Sequence, residues 1–479
     1  MMAPPSFKKW MSSTPLPKWY FLILIQLVEI SKAQDVEAGD GTTSVVVLAG
    51  ALLKAAESLL DKGIHPNIVS EGFQHALDFS LQVIKEHLAI PVKITDRESL
   101  IECVNTSLSS KVVSSYSELF SELAVNSVLR VIDTETATNV DLKDIRIVKK
   151  LGGTIDDTEL IEGLVFDKCK PNTSSGGPTK IENAKIAVCQ FQISTPKTDI
   201  ENSIIIKDYQ AMDRVMKEER KIIANMVKKI SASGANVLLI QKSILKDATN
   251  ELSLHFLAKK GIMVVQDIER DDIDFICKTI NAVPIAHIDH MSEDKFGHAA
   301  LCEQAKLLDD SKIFKITGLK ESKTVSVLVR GSNPLVIDEA DRSLHDALCV
   351  IRSLVKNRAL ITGGGSAEIE ISYRMTEHMN TLKGLDAIIF RAYAEALEII
   401  PFTLAENAGM SPINVVTELR NRHLKGEKHS GISVKKNSII NMKEENVLQP
   451  ALVTQSALTL ATEVVRMILK IDDVVMTAR

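Results

Sequence analysis

The sequence has 479 residues, of which 45% are hydrophobic and 25% charged, and its formal net charge is −5. This length is enough for roughly three domains, and the composition is that of a folded globular protein. The slightly acidic balance argues against a concentrated basic surface, so we expect no nucleic-acid partner. None of the six cysteines forms a CxxC pair. This excludes the usual zinc and disulfide patterns and predicts free thiols in a reducing compartment.

A basic and then apolar segment lies at the N-terminus. Lys8 and Lys9 precede an apolar run from Trp19 to Leu24, which is too short to span a bilayer because a spanning helix takes about 20 residues. A secretory signal is the less favoured interpretation, because Glu29 interrupts the apolar character and no small-residue cleavage site follows closely. We expect a core helix over about 20–33 and no membrane partner.

The segment DVEAGDGTTSVVVLAG, residues 35–50, places an acid between two glycines and leads into an apolar helix. Gly39 and Gly41 permit a sharp turn, and the following N–H groups lie at the positive end of the helix, where phosphate binds. The hydroxyl residues at this helix start are Thr42, Thr43 and Ser44. Asp40 is a hard anionic ligand suited to Mg²⁺ beside phosphates. These residue types are also good helix caps, so the segment alone fits a capped helix and a phosphate site equally well.

The next elements alternate between helices and strands. SVVVLAGALLKAAESLLDKG is predicted to be a buried helix that stops at Gly63, and Pro66 begins another helix. Helical spacing predicts that one face of this second helix is lined by Val69, Phe73, Leu77, Leu81 and Leu88. Short β-branched runs from about residue 145, such as IRIVKKLGGTI and AKIAVCQFQI, indicate strands. NVLLIQ, an amphipathic helix ending at Gly261, and IMVVQ form a βαβ unit, which predicts a parallel pair of strands.

A heavily charged helix, YQAMDRVMKEERKIIANMVKKI, precedes this βαβ unit. Its apolar residues form a stripe that we expect to face the core: Met212, Val215, Ile222, Met226 and Ile230. The polar segment before it, STPKTDIENSIII, contains Pro196 and is typical of a loop.

Helices return after the strand TVSVLVRG. The helix VIDEADRSLHDALCVIRSLVKN is predicted to bury Ile337, Ala340, Leu344, Ala347, Leu348 and Ile351. Arg342 lies at i,i+4 spacing from both Asp338 and Asp346 and can pair with either. The order of helices, then α/β elements, then helices favours a middle domain inserted into a helical domain whose two parts are neighbours in space.

Two later segments are candidates for the same pocket as the GDGTTS turn. Gly363, Gly364 and Gly365 precede a helix and would let a nucleotide lie against bare backbone, although a flexible hinge is the simpler interpretation. Asp346 could activate a water as a general base, although an ion pair with Arg342 explains it more simply. A small-molecule phosphotransferase fits these glycine turns alone but leaves the middle domain unexplained.

The stretch SLSSKVV offers hydroxyl and ammonium groups that could contact a terminal phosphate. These groups belong to Ser109, Ser110 and Lys111. A solvated loop is the simpler interpretation of this stretch. The histidines form no metal-binding or catalytic pattern, since no HxxxH or HExxH spacing occurs.

Several long segments match one family when they are taken together: SKAQDVEAGDGTTSVVVLAG, RIVKKLGGTIDDTELIEGLV, TPKTDIEN, NVLLIQKSILKDA, GSNPLVIDEADRSLHDALCVIRSLVKNRALITGGGSAEIE and SALTLATEVVRMILKIDDVV. They resemble the group II chaperonins of the TCP-1/cpn60 family, from about Leu27 to the C-terminus. The resemblance implies a multidomain α and α/β protein with a split helical equatorial domain, a split intermediate domain and an inserted α/β apical domain.

The resemblance also implies domain boundaries along this sequence. They are 1–104 and 358–479 for the equatorial domain, with 1–26 atypical, 105–163 and 323–357 for the intermediate domain, and 164–322 for the apical domain, with a lid protrusion near 195–220. The apolar stripe of the charged helix would then partly serve as a lid or a contact for substrate proteins.

The function implied by the resemblance is ATP-driven folding of cytoplasmic proteins, actin and tubulin among them, inside a double ring built with other chaperonin subunits. Asp40 would hold Mg²⁺, Asp346 would help to activate the attacking water, and Lys111 would contact the γ-phosphate. The other nucleotide-binding residues would be Gly39, Gly41, Thr42, Thr43, Ser44, Ser109, Ser110, Gly364, Gly365 and Gln449.

The N-terminal residues depart from the family pattern. In the family a strand, a proline-glycine phosphate loop and a TNDGAT hairpin with a second water-orienting aspartate precede the segment matching LVEISKAQ. This sequence has MMAPPSFKKWMSSTPLPKWYFLI there. We therefore expect a weaker phosphate site and an unpaired edge strand at IDDVV. The alternative hypothesis is a chaperonin-like binding protein that has lost ATP hydrolysis and ring assembly.

Overall fold

The computed structural model describes residues 18–133, 137–167, 170–171, 176–194, 208–242, 247–306, 312–319 and 324–471. Several predicted features lie wholly or mostly outside these residues. They are the basic start of the chain, Cys169, the loop STPKTDIENSIII and the strand IDDVV.

The chain forms two compact units. The first contains residues 1–121 and 343–479, and the second contains residues 122–342. The second unit is therefore inserted into the first, as the order of predicted elements suggested. The finer division into five domain segments stays a prediction.

The helices are α1 (Lys18–Glu37), α2 (Thr42–Asp61), α3 (Pro66–Val83), α4 (Arg97–Leu108), α5 (Ser117–Val131), α6 (Tyr209–Ser233), α7 (Glu251–Lys259), α8 (Arg270–Ile280), α9 (Pro334–Lys356), α10 (Ser366–Met379), α11 (Leu385–Leu397), α12 (Ile399–Asn407), α13 (Pro412–Leu424) and α14 (Ala451–Leu469). A π-helical turn, Ile84–Leu88, follows α3.

The strands are β1 (Ile90–Pro91), β2 (Ile145–Leu151), β3 (Glu159–Ile161), β4 (Gly163–Phe166), β5 (Lys170–Pro171), β6 (Lys180–Cys189), β7 (Val237–Gln241), β8 (Met263–Ile268), β9 (Gly297–Lys306), β10 (Lys312–Leu319), β11 (Val325–Gly331), β12 (Ala359–Thr362), β13 (Ser430–Ser433), β14 (Ser438–Asn441) and β15 (Leu448–Pro450).

The helix predicted over 20–33 is α1, which extends beyond that range at both ends. It is only partly a core helix. Ile30 is buried, whereas Leu24, Ile25 and Val28 are exposed on the other side. The sequence did not show this division because apolar residues occur on both faces of α1.

The core of the first unit is formed mainly by α2, α3, α11 and α14. The predicted inward face of α3 is confirmed, since Val69, Phe73 and Leu77 are buried. Phe73 lies edge-on to Tyr393 with ring centroids 5.5 Å apart. In the described part of the chain, α2 and α14 are long and apolar enough to cross a membrane by length and composition alone. Both contribute buried residues to this core, which accounts for their apolar character.

A small antiparallel sheet joins distant parts of the first unit in the order β1-β12-β15. Ile90 lies opposite Leu360, and Ile361 lies opposite Gln449. Because β12 and β15 are antiparallel, Thr362 at the end of β12 lies opposite Leu448 at the start of β15. The sheet thus holds the segment that leads to α10 beside the segment that leads to Gln449.

The second unit contains a seven-stranded sheet in the order β4-β10-β9-β6-β7-β8-β5. β7 and β8 are parallel and α7 connects them, so the predicted βαβ unit is confirmed. A separate three-stranded sheet, β2-β11-β3, pairs β2 with β11 in parallel. Its outer strands and its central strand come from opposite ends of the inserted segment.

The buried stripe of α6 differs from the prediction. Ile223, Val227 and Ile230 are buried, whereas Met212 and Ile222 are exposed. The buried residues follow i, i+4, i+7 spacing, which stays on one face of a helix. The predicted i, i+4, i+8 series drifts away from that face. Only the C-terminal half of α6 packs against the sheet core, so apolar residues of its first turns are left exposed.

The predicted buried residues of α9 are all buried, but its predicted ion pairs are wrong. Asp338 pairs with Lys149 at 3.0 Å and Arg342 lies 3.5 Å from Glu339. Tertiary partners and an i,i+3 neighbour thus replace the expected i,i+4 pairs. The five described cysteines are free thiols, as expected.

Candidate nucleotide site

The GDGTTS turn connects α1 to α2 through two glycines in the left-handed region. Gly39 has φ +73° and Gly41 has φ +75°. Gly41 is the N-cap of α2, and no side-chain hydrogen bond caps this helix in the described structure. The first N–H groups of a helix have no acceptor within it. The turn therefore presents free donors at the positive end of α2, and the capped-helix interpretation is wrong here.

The carboxylate of Asp40 is held at this turn from two sides. Its Oδ1 accepts a hydrogen bond from the N–H of Gly41 at 2.7 Å. Its Oδ2 accepts one from the hydroxyl of Ser107 at 3.1 Å. A carboxylate offers about four acceptor positions, so both oxygens keep capacity for a further ligand. Ser107, near the end of α4, was not singled out from the sequence because it is 67 residues from Asp40.

Close packing against α9 explains the glycine at position 39. A Cβ atom built on Gly39 would lie 2.0 Å from Cβ of Cys349 and 2.7 Å from its Sγ. Any side chain at this position would force the turn away from α9. Gly39 thus fixes the distance between this turn and the helix that carries Asp346.

α9 also forms hydrogen bonds to the backbone just before the turn. Arg352 donates to the carbonyl of Val36 at 2.7 Å, and Ser353 donates to the carbonyl of Ala38 at 3.2 Å. These contacts come from the turns of α9 that follow Asp346, so one rigid helix sets both the turn and the candidate base.

Asp346 is buried and pairs with Lys111, whose Nζ lies 2.5 Å from Oδ2. The prediction that Asp346 pairs with Arg342 is wrong. Its carboxylate pairs instead with Lys111, which is 235 residues away in sequence. Burial raises the pKa of Asp346 above its usual value, the ion pair with Lys111 opposes this rise, and the nearby charge of Asp40 adds to it. A carboxyl group whose pKa is raised is better suited to accept a proton near neutral pH.

The glycines before α10 are held by main-chain hydrogen bonds. The N–H of Gly363 donates to the carbonyl of Val447 at 3.0 Å, and the carbonyl of Gly364 accepts from Ile432 at 2.9 Å. A Cβ on Gly364 would lie 2.8 Å from Sδ of Met442, and one on Gly365 would lie 2.9 Å from Cβ of Pro401. This segment is a packed turn, so the flexible-hinge interpretation does not apply.

The two glycine turns approach the same end of α14. A Cβ on Gly41 would lie 3.1 Å from Cγ1 of Val453 in the first turn of α14. Gln449, which precedes that helix, donates to Thr454 in the same turn at 2.9 Å. α4 links the two sides as well, because Thr106 donates to the carbonyl of Asn446 at 3.2 Å. A Cβ on Gly363 would lie 4.0 Å from Oε1 of Gln449, so Gln449 connects the glycines before α10 to the first turn of α14.

Ser109 and Ser110 are exposed and bond back to their own helix. The hydroxyl of Ser109 donates to the carbonyl of Thr106 at 2.8 Å, and that of Ser110 donates to the carbonyl of Ser107 at 3.1 Å. These bonds satisfy carbonyls at the end of α4. A contact of either serine with phosphate stays a prediction.

The residues fit Mg²⁺ only together with phosphate. In the described ranges no group of three or more His, Cys, Asp or Glu could hold a metal ion alone. Mg²⁺ keeps several waters and is commonly bound by one or two carboxylates plus substrate phosphates. Asp40, beside the N-terminus of α2, meets that requirement.

The family model that matches this chain is the TCP-1/cpn60 chaperonin family, over residues 23–479. The chain is 60% identical to T-complex protein 1 subunit delta of Arabidopsis thaliana over 450 residues, which are 94% of this chain and 83% of that relative. It is 59% identical to the protein of the same name in Homo sapiens over 452 residues, with the same two coverages.

A solved structure agrees. The open-state monomer of a group II chaperonin from Methanococcoides burtonii is similar with a TM-score of 0.68 and 34% identity, and the match covers 90% of this chain and 100% of that one. The chain belongs to the TCP-1/cpn60 chaperonin family, and the predicted resemblance and fold class are confirmed.

Proposed function

We propose that this chain binds ATP with Mg²⁺ at the turn before α2 and hydrolyses it as a subunit of a hetero-oligomeric, double-ring chaperonin. The observation that carries the proposal is the joint placement of Asp40 at the free N-terminus of α2 and of the Lys111–Asp346 pair on neighbouring elements. Family membership supports it. Its clients would be cytoplasmic proteins such as actin and tubulin.

Each residue has a distinct part in the proposed reaction. Asp40 and the N–H groups of Thr42, Thr43 and Ser44 would hold Mg²⁺ and the phosphates. Gly364, Gly365 and Gln449 would face the rest of the nucleotide. The five predicted domain segments would place Asp346 at the edge of the intermediate domain. When bound, Mg²⁺ would neutralise charge on the phosphate oxygens.

Lys111 links nucleotide binding to the base. In the structure its ammonium neutralises Asp346 at 2.5 Å. A terminal phosphate would attract the ammonium of Lys111 more strongly than the Asp346 carboxylate does, because a phosphate carries more negative charge. Once Lys111 moves to phosphate, it no longer opposes the effect of burial on Asp346, and the pKa of this carboxyl would rise further. Asp346 would thus become a stronger proton acceptor only when ATP is in place.

Replacing Lys111 by methionine should move the acid limb of the pH profile of kcat/KM for ATP hydrolysis, which reports the free enzyme, to higher pH. The reason is that the ammonium opposes the rise in the pKa of Asp346, so its removal makes the carboxylate protonate at higher pH. The plateau rate should also fall by about 10²-fold, because a donor to the developing charge is lost. K111R keeps the charge and should leave the limb in place. An unmoved limb in K111M would contradict the pairing.

The assembly part of the proposal is tested separately. The full-length chain, co-expressed with the other subunits of a cytosolic chaperonin, should elute by size-exclusion chromatography in a megadalton complex. A chain found only as monomer or aggregate would support the alternative of a binding protein without ring assembly. ATPase activity of the purified chain decides the enzymatic part of that alternative.

A further inference from the structure

Gln34 is a fully buried amide near the end of α1. A buried amide without hydrogen bonds destabilises a fold, but each polar atom of this side chain has a partner. Its Nε2 donates to the carbonyl of Asp40 at 2.9 Å and to the carbonyl of Val453 at 3.2 Å. Its Oε1 accepts from the hydroxyl of Ser456 at 2.8 Å. The side chain therefore connects the turn before α2 to the first turns of α14.

The main chain of Gln34 holds the other end of the same turn. Its carbonyl accepts from the N–H of Ala38 at 2.9 Å and from that of Gly39 at 3.1 Å. Gln34 thus holds both ends of the turn from Ala38 to Asp40. Its carbonyl accepts from N–H groups at the start of the turn, and its side chain donates to the carbonyl at the end. Ser353 and Cys349 of α9 restrain the start of this turn, whereas Gln34 also holds its end at the carbonyl of Asp40.

The position of the Asp40 carboxylate follows from the position of its backbone. Oδ1 accepts from the next N–H, on Gly41, at 2.7 Å, which ties the carboxylate to its own main chain. A shift of the Asp40 carbonyl therefore moves the carboxylate relative to the N-terminus of α2. Groups that orient a metal ligand in this indirect way commonly change metal affinity 10–100-fold when they are removed.

We propose that Gln34 is a positioning residue for the metal-binding carboxylate of Asp40, and that it acts through the Asp40 backbone without touching nucleotide or metal. This inference rests on the proposed function. It assigns Gln34 an effect on metal binding that a core amide of purely structural role would lack.

The test uses the purified full-length chain and Mn²⁺ as a probe for the Mg²⁺ position, followed by electron paramagnetic resonance in the presence of ATP. Gln34→Met keeps the length of the side chain but removes both donors. We expect Mn²⁺ affinity in the ternary complex to fall about tenfold, while ATP affinity measured without metal changes less than about threefold. Ser456→Ala removes only the partner of Oε1 and should give a smaller loss in the same direction.

The matched control is Tyr393→Phe. It removes one buried hydrogen bond of the same core, from Tyr393 to Thr462 at 2.9 Å, and should leave Mn²⁺ affinity unchanged. Thermal unfolding by circular dichroism checks that each variant folds. If Gln34→Met fails that check, Ser456→Ala decides alone. Absence of ATP and Mn²⁺ binding in the wild type overturns the proposed function. If the wild type binds and Gln34→Met has the same Mn²⁺ affinity as Tyr393→Phe, the inference about Gln34 is overturned. Where Gln34→Met does not fold, the same result for Ser456→Ala overturns it.

Discussion

Replacing Asp346 by alanine is expected to lower the rate of ATP hydrolysis by the purified chain by about 10²–10⁴-fold, the usual contribution of a general base. Affinity for ATP should stay within about threefold of the wild type, because the N–H groups of α2 and the Asp40 carboxylate, which are proposed to bind the phosphates and Mg²⁺, are untouched. Single-turnover hydrolysis measures the first quantity and equilibrium binding of a fluorescent ATP analogue measures the second.

The matched control for this prediction is Asp338→Ala. Asp338 lies on the same helix but pairs with Lys149 of the second unit, so its loss should leave hydrolysis unchanged. Asp346→Asn keeps the shape of the side chain and removes its basicity, and it should behave like the alanine variant. Equal rates for wild type and Asp346→Ala would remove the enzymatic assignment, whatever the outcome for ATP binding.

Replacing Glu370 by leucine is expected to lower the free energy of unfolding by about 3–5 kcal/mol, as breaking a buried charge network commonly does. Glu370 and His423 are almost fully buried and lie 2.7 Å apart between Oε2 and Nδ1. Arg374 donates to the other oxygen of Glu370 at 3.0 Å, and Nε2 of His423 lies 3.0 Å from the carbonyl of Ser430. Leucine would leave both partners without their acceptor.

This network also predicts a pH dependence of stability. Burial acts to raise the pKa of Glu370, but hydrogen bonds from His423 and Arg374 outweigh it and hold the pKa below the usual value. The stabilisation is therefore present above the pKa of an unfolded glutamate, about 4.3, and is lost as the pH falls through the lower folded value. Urea denaturation at pH 7 and at decreasing pH should show the difference between wild type and Glu370→Leu shrinking in the acid range.

The control for Glu370 is Glu395→Ala. Glu395 forms an exposed i,i+4 pair with Arg391 in the same unit, and such pairs contribute at most about 0.5 kcal/mol. A loss for Glu370→Leu no larger than the loss for Glu395→Ala would show that the buried network does not stabilise the fold.

Local features of the fold were predictable because they depend on neighbouring residues. Helical periodicity predicted α3 and the buried face of α9, and alternation of strands and a helix predicted the parallel pair β7 and β8. The stripe of α6 was misplaced because periodicity alone does not show which turns of a helix meet the core. The exposed side of α1 was missed for a related reason, since an apolar residue does not specify what it packs against.

The candidate site was likewise predictable only in part. Asp40 and Asp346 could be singled out from residue type and spacing. The pairing of these acids with Ser107 and Lys111 could not be predicted, because it spans 67 and 235 residues. Gln34 bonds to residues 419 and 422 positions away, and one glutamine in a helix gives no local signal of that role. A polar residue on the same helical face as Ile30, just before a glycine turn, is the signal that could have drawn attention to it.

The insertion of the second unit has a consequence for synthesis of the chain on the ribosome. The core of the first unit needs α11 and α14, which lie beyond residue 343. The inserted unit Glu122–Arg342 has 342 − 121 = 221 residues, and at about 5–20 residues per second this stretch takes roughly 10–45 s to translate. During that time α2 has emerged without the helices that cover it. During its synthesis this chaperonin-family chain is therefore itself a nascent chain with an uncovered apolar segment, α2. It needs protection from premature association until its C-terminal residues are made.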